Sequence, residues 1–307
     1  MGRKQEHADI SVVIPTYNRP DTLKQTLLSY LHGNTVPREI IVVDQSHNPF
    51  DVSYLGDTHS CNVRVIPSST PSLTRSRNIG AREASSDILL FSDDDVLVDE
   101  DSIARLDALM GDSSVALAAG VDLPENGIHG TPSKPSGLRN LVGMFLGMKK
   151  PWRTDGYVIK SNMRGRYPAC VFSSVPTEWA MGYFFCVRRS CMERWNCWFD
   201  ESLKRYAYAE DLDFSLRYCS AAQQEGLKTL LVPDIYVNHL GSKEWRTPTD
   251  EATRYFIENR RYLSRKIYPK RWWYRIMMFW FDALFAISQI RNREYFLSLM
   301  RHLVKEG

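Results

Sequence analysis

Ile88-Leu89-Leu90-Phe91-Ser92-Asp93-Asp94-Asp95 sets an apolar run almost directly before three carboxylates. A run this short reads as a buried strand, and it carries the aspartates to the point where the strand stops. Three like charges in a row repel one another unless something positive holds them. A hard divalent cation, Mg2+ or Mn2+, meets that need, because it takes oxygen ligands and leaves room for phosphate oxygens. The alternative is a solvated acidic turn or a helix N-cap, since Val96-Leu97-Val98 is followed by Asp99-Glu100-Asp101-Ser102.

Nearer the amino terminus, Ile10-Ser11-Val12-Val13-Ile14-Pro15 reads as another buried strand, ended by proline. Asp21 is then expected to cap a helix through Leu23, Leu27, Leu28 and Leu31, which recur at helical spacing. Ile40 to Val43 is a second β-branched strand, ending in Asp44, and Val63 to Ile66 is a third. A helix is predicted over residues 73–84. Strands and helices in alternation predict an α/β fold, a mostly parallel central sheet with helices on both faces. Ligands of such sheets bind outside the carboxyl ends of the strands. Asp44 and the three aspartates therefore belong to one predicted site.

From Asp122 to Pro176 proline and glycine are frequent, and Gly137 to Phe145 reads as a short apolar helix inside a long excursion. Insertions of that length in compact domains are usually lids or binding loops. Regular structure is expected to return as a strand over 179–189, a helix from Asp211 to Cys219 and a strand from Thr229 to Val232.

The chain has 307 residues, 43% hydrophobic and 24% charged, which suits a soluble protein with a sizeable core, either one large domain or one domain plus a smaller appendage. The polar start Met1 to His7 lacks a secretion signal's apolar stretch, and Glu6 stands where a myristoylation site needs Ser or Thr. The six cysteines form no paired CxxC framework. Reduced thiols in a cytoplasmic protein are expected, with zinc at Cys186, Cys191 and Cys197 the lesser alternative.

Net charge is +3, distributed unevenly. Thr253 to Arg275 holds eight basic residues and one acidic, +7, so the remainder carries 3 − 7 = −4. A boundary in composition near 245/246 predicts a catalytic domain over 1–245 and a basic, aromatic helical tail over 246–307. Within that tail, Ile276 to Ile287 is nearly all apolar, and Arg275, Asp282 and Gln289 recur every seven residues as one narrow polar stripe. Charges at mid-membrane are costly, about 2.5–3.5 kcal/mol each, which disfavours a span. The tail is expected to lie in the interface of an anionic membrane, and to be separable from an intact nucleotide site. A core helix packed on the catalytic domain is the alternative. No nucleic-acid module is recognisable, so nucleic acid is not an expected partner.

Several motifs in fixed order resemble family 2 of the glycosyltransferases, enzymes of the GT-A, nucleotide-diphospho-sugar-binding fold. They are Val13-Ile14-Pro15-Thr16-Tyr17-Asn18-Arg19, the strand-end Asp44, Thr74-Arg75-Ser76-Arg77-Asn78-Ile79-Gly80 and Phe91-Ser92-Asp93-Asp94-Asp95. Phe199-Asp200-Glu201 and Glu210-Asp211 follow, so the resemblance covers roughly residues 10–240. It implies that Pro15, Thr16, Tyr17, Asn18 and Arg19 form the loop touching base and ribose, and that Asp44 accepts a base N–H. Arg75, Arg77 and Asn78 would pass near the nucleotide, although a solvated helix face also explains Arg75. Asp93 matches the first position of the family's DXD motif, Asp94 the middle one, and Asp95 the position that binds the metal bridging the phosphates. His239, after the last strand, resembles a histidine that contacts metal or diphosphate; a loop histidine is the alternative. Asp211 matches the general base and Glu210 its neighbour. Helix N-termini also favour negative charge, so capping is the competing role for that pair.

The resemblance implies an inverting, metal-dependent glycosyltransferase using a nucleotide-diphospho-sugar donor. A hydroxyl of a glycan or lipid-linked glycan would be the acceptor, in cell-surface polysaccharide synthesis at the inner face of the plasma membrane. Two departures stand out. Trp195-Asn196-Cys197-Trp198 replaces a glycine usual before Phe-Asp-Glu, and Tyr268-Pro269-Lys270-Arg271-Trp272 keeps only the Arg-Trp of the processive signature, so polymerisation is not expected. A sugar nucleotidyltransferase would share the sheet and aspartates, but Ile14 to Arg19 lacks its glycine-rich basic loop. A non-catalytic module binding sugar nucleotides or membrane would show binding without turnover.

Overall fold

The computed structural model describes residues 6–58, 61–122, 153–168, 171–203, 207–241 and 247–305. The first half alternates as the sequence predicts: β1 (Glu6–Thr16), α1 (Pro20–Leu31), β2 (Thr35–Asp44), β3 (Asn62–Pro67), α2 (Leu73–Glu83), β4 (Ile88–Ser92). Then come β5 (Val96–Val98), α3 (Ser102–Met110) and β6 (Val115–Asp122). β1, β2 and β4 are buried on both faces, which is why their sequences are continuous β-branched and apolar runs without alternation. Pro20 sits in the first turn of α1, where its missing N–H costs nothing; Asp21 lies inside that turn and does not cap it. On α2, Gly80 is required by packing. A Cβ there would stand 2.3 Å from Val13 Cγ1, so only glycine lets α2 lie this close to β1.

The second half holds the hairpin β7 (Tyr157–Ile159) and β8 (Arg164–Arg166), then β9 (Val175–Pro176), β10 (Phe184–Arg188), α4 (Arg189–Arg194), α5 (Glu210–Gln224) and β11 (Lys228–His239). One sheet runs β3-β2-β1-β4-β10-β6-β11-β5, with β9 added on β11. β3, β2, β1 and β4 are mutually parallel, as are β6 and β11, while β10 runs antiparallel between β4 and β6. Separate apolar clusters pack on its two faces. This is the α/β architecture expected of a GT-A fold.

Two elements differ in extent from the sequence reading. The strand over 179–189 contracts to Phe184–Arg188. β11 extends seven residues past Val232, because Pro233 falls where the register with β6 shifts, between Leu231 and Tyr236, and so its missing N–H leaves no gap in the ladder. The apolar helix predicted over 137–145, with most of the 122–176 insertion, lies outside the described residues.

The tail forms α6 (Thr249–Ile267), α7 (Trp273–Ser288) and α8 (Arg293–Lys305). α6 is seated on the core. Leu263 and Met278 share a cluster with Val158, Met163, Leu203 and Leu212. Lys266 Nζ lies 2.6 Å from Asp200 and 2.8 Å from Asp213. Arg260 and Asp282, both wholly buried, form an ion pair between α6 and α7, and Arg260 also donates to the Asn162 carbonyl at 2.9 Å. Asp282 therefore does not belong to a solvent-facing polar stripe. Of that stripe only Asp282 is buried against the protein, Arg275 is exposed, and an apolar side of α7 faces out.

Candidate active site

Pro15, Thr16, Tyr17, Arg19, Arg75, Asp93, Asp94, Asp95 and His239 line one cleft of about 1880 Å³ at the carboxyl ends of β1 and β4. The chain reverses after β4, and Asp94-Asp95 form the turn into β5. β5 pairs with the end of β11, placing His239 opposite Val96, and the Leu240 N–H donates to the Asp95 carbonyl at 2.9 Å. This pairing brings a histidine 144 residues away in sequence to the aspartates. One ligand atom from each of Asp93, Asp95 and His239 lies within 4.8 Å of the others. His239 Nε2 is 3.2 Å from Asp95 Oδ1. The ring stacks on Tyr183 at 5.1 Å, and the His239 N–H donates to Asp122. The hydrogen bond to Asp95 raises the imidazole pKa above its ordinary value.

Two carboxylates and one imidazole fit a divalent cation of the Mg2+ or Mn2+ kind, and they leave coordination positions for other oxygens. Asp94, the middle aspartate, does different work. It is buried, accepts from Thr16 Oγ1 at 2.7 Å and Arg19 Nη1 at 3.0 Å, and its carbonyl accepts from Thr26 Oγ1. Burial, only partly offset by Arg19 and Thr16, pushes its carboxyl up to about 6. Asp94 thus fastens the β1 loop to the β4 turn, and Arg19, also 3.8 Å from Asp95, is held between them.

Two residues expected near the nucleotide also hold local structure together. Asp44 accepts the N–H groups of Ser46 and Phe50, both at 2.8 Å, so its carboxylate shapes the loop after β2, and its neighbour Gln45 lines the cleft. Gln45 reaches the Ser72 N–H and the Thr16 carbonyl, tying two cleft loops together. Nothing in its sequence context marked it. Asn78 is 1% exposed, and its amide holds Phe199 N, Phe199 O and Glu201 Oε1 at 2.9–3.0 Å. It positions Glu201 at the cleft wall without lining the cleft itself. Asn18 takes a left-handed backbone (φ 55°), with its N–H on Ser46 Oγ.

Arg77 is the residue that joins the motifs. Wholly buried, it donates to Glu210 Oε1, to Asp93 Oδ1 at 2.9 Å and to the Gly182 carbonyl at 2.7 Å. One guanidinium thereby ties the aspartate turn to the Glu210-Asp211 pair. Its planar fork suits that task, which an ammonium could not perform with the same geometry. Gly182 must be glycine, since a Cβ would meet Glu210 Oε1 at 2.9 Å and Arg77 Nη1 and Nη2 at 3.3 Å. Asp211 accepts from Gly182 N at 3.1 Å and Leu212 N at 2.7 Å, and Glu210 is paired to Arg77, so neither acid caps α5 in the usual side-chain manner. Burial raises both carboxyls, Glu210 well above its ordinary value despite the opposing pull of Arg77. The turn before them is strained: Ala207 (φ 47°) and Ala209 (φ 69°) are both left-handed, and Asn259 of α6 holds the intervening Tyr208 carbonyl at 3.0 Å. Tail residues Thr249, Ala252, Thr253 and Phe256 form a further wall of the cleft, a contribution the compositional boundary concealed.

Residues 11–166 match the family described as Glycosyl transferase family 2, and the chain belongs to that family. NDP-glycosyltransferase ltbB of Aspergillus luteorubrus is 27% identical over 124 residues, 39% of this chain and 30% of that protein. Mannosyltransferase PcManGT from Pyrobaculum calidifontis, solved with GDP-Man and Mn2+, superposes with a TM-score of 0.52 at 16% identity, over 83% of this chain and 63% of that one. GalNAc-T7, solved with UDP, GalNAc and Mn2+, gives 0.54 at 18% identity over 81% and 47%. The likeness to the solved structures is one of fold, and the chain spans less than two thirds of the length of each of these relatives.

Proposed function

We propose that this chain transfers a sugar, with inversion, from a nucleotide-diphospho-sugar to a hydroxyl of a glycan or lipid-linked glycan. The observation that carries the reading is the convergence of Asp93, Asp95 and His239 at one cleft, with Arg77 linking Asp93 to Glu210 beside Asp211. The donor's base and ribose lie along Pro15 to Arg19, with Arg75 beside them. Asp93, Asp95 and His239 would hold Mg2+ or Mn2+, as the solved relatives with Mn2+ suggest. When bound, the cation supplies compensation for the charge that grows on the leaving diphosphate.

Asp211 takes the proton from the acceptor hydroxyl. Its raised pKa makes it a better base than an exposed aspartate, and the Gly182 and Leu212 N–H groups fix its orientation. The oxygen then attacks the anomeric carbon from the face opposite the diphosphate, and the C–O bond to phosphate breaks as the new one forms. Arg77 and Glu210 hold the base in register with the metal site. In this reading residues 1–245 carry catalysis and 246–307 add a cleft wall and a membrane contact. The enzyme works at the cytoplasmic face of the plasma membrane in cell-surface polysaccharide synthesis, without nucleic acid.

Asp211→Asn tests the assignment, because the amide keeps the shape and cannot accept the proton. Transfer is expected to fall by roughly 10²–10⁴-fold, with Mn2+-dependent nucleotide affinity unchanged by calorimetry. Near-normal turnover in that variant contradicts the role given to Asp211.

A further inference from the structure

The outward face of α7 is apolar along its whole length. Trp273, Ile276, Met277, Trp280, Leu284 and Ile287 recur at intervals of one, three and four residues, which places them on one side of the helix. All are exposed, Trp280 by 61% and Ile287 by 58%. The opposite side is fixed to the protein by Met278, Phe281, Asp282 and Ala286, and Asp282 is locked there by Arg260. That ion pair sets the rotation of the helix. No rolling movement can hide the apolar face without breaking a pair of wholly buried charges.

Charge identifies what covers this face. Lys270, Arg271 and Arg275 are exposed at its amino end, and Arg291 and Arg293 at its carboxyl end. Between Arg265 and Arg293 the only acidic residue is Asp282, which is buried. An apolar stripe with cations at both ends and tryptophans along it matches an anionic bilayer: rings and aliphatic groups enter the headgroup–acyl boundary, and guanidinium groups meet phosphates. A helix of 16 residues is about 24 Å long, short of the hydrocarbon core, and among the described residues no helix is long and apolar enough to cross a membrane.

We infer that α7 is a monotopic membrane anchor that lies flat in the surface of an anionic bilayer with Trp273, Ile276, Trp280, Leu284 and Ile287 inserted. This deepens the membrane part of the proposed function and does not depend on catalysis. Since α6 both forms a wall of the cleft and carries the ion pair to α7, it connects the anchored surface directly to the cleft.

The test is flotation of the full chain with vesicles of phosphatidylcholine containing about 30% phosphatidylglycerol, and with phosphatidylcholine alone. The chain is expected to float with the anionic vesicles and to bind the neutral ones more weakly. Raising salt from about 0.1 M to 1 M should weaken binding without abolishing it, because burial is not screened. The double variant Trp280→Glu, Ile287→Glu alters only exposed positions and should lower the vesicle-bound to free ratio at least about tenfold. Its melting temperature and Mn2+-dependent nucleotide binding report independently on the fold and on the proposed activity. The inference is overturned if the full chain stays with the unbound fraction, or if the double variant floats as well as the parent. It is equally overturned if the parent is a dimer in solution that the variant converts to monomer, since a second copy would then be what covers the face.

Discussion

Arg77 is where a single side chain matters most. It is wholly buried between two carboxylates contributed by different motifs, and Glu210 is nearly as buried as Arg77 itself. Arg77→Met would leave Glu210 desolvated without its cation and Asp93 without its anchor. Removing one partner of a buried pair costs about 3–5 kcal/mol, so a drop of that size in unfolding free energy is expected from denaturant titration. A loss below about 1 kcal/mol, the scale of a surface pair, would mean the guanidinium is not the joint described. The motif that contains Arg77 was legible in the sequence, but its role was not: a lone arginine on a predicted helix looks like a solvated face. Only the fold brings Gly182, Asp93 and Glu210 around it. Asp44 and Asn78 show the converse. Their residue types suit nucleotide contact, but the bonds they make to nearby backbone groups could not be read from residue type.

Strand runs ending in aspartate made most of the parallel half of the sheet readable, because strands buried on both faces must be continuously apolar. The antiparallel insertion of β10 was not readable, since direction leaves no trace in a run as short as Phe184–Arg188. The tail misled for a similar reason. Every-seventh-residue polarity identifies a stripe but not which way each residue faces, and the Arg260–Asp282 pair turns Asp282 inward while Arg275 stays exposed. Where α6 meets the core, Lys266 holds Asp200 and the wholly buried Asp213. Burial works to raise the Asp200 carboxyl, but Lys266, the Tyr262 hydroxyl and the Ser202 N–H outweigh it and hold the carboxyl well below its usual range. A depressed carboxyl contributes stability that is present above its unfolded value, about 4, and lost as pH falls through the folded one. Lys266→Met should therefore cost about 2 kcal/mol at neutral pH. The gap in melting temperature between parent and variant should close as the solution is acidified below about pH 4. A gap that stays constant with pH would separate Asp200 from the docking of α6.

For the whole molecule, the three tail helices are part of the folded body. A chain ending at residue 246 loses Leu263 and Met278 from a shared cluster, exposes Leu203 and Leu212, and removes a wall of the cleft. Core truncations at single buried leucine or methionine positions already cost about 2–5 kcal/mol, a large part of a typical stability of about 5–15 kcal/mol. The shortened chain is expected to melt well below the full one and to lose nucleotide-dependent stabilisation. Retention of both by calorimetry would make the tail an independent appendage, as its composition alone suggests.

The central claim is that Asp93, Asp95 and His239 hold a divalent cation that binds a nucleoside diphosphate in the cleft. Thermal unfolding of the full chain with UDP, GDP and dTDP, each with Mn2+ or with EDTA, tests it most directly. A ligand that binds only the native state stabilises by about 2.7 kcal/mol at a hundredfold excess over Kd. At least one diphosphate should raise the melting temperature with Mn2+ and not with EDTA, and Asp95→Ala should abolish the shift. A shift of equal size in EDTA, an undiminished shift in Asp95→Ala, or no shift with any of the three would contradict the account.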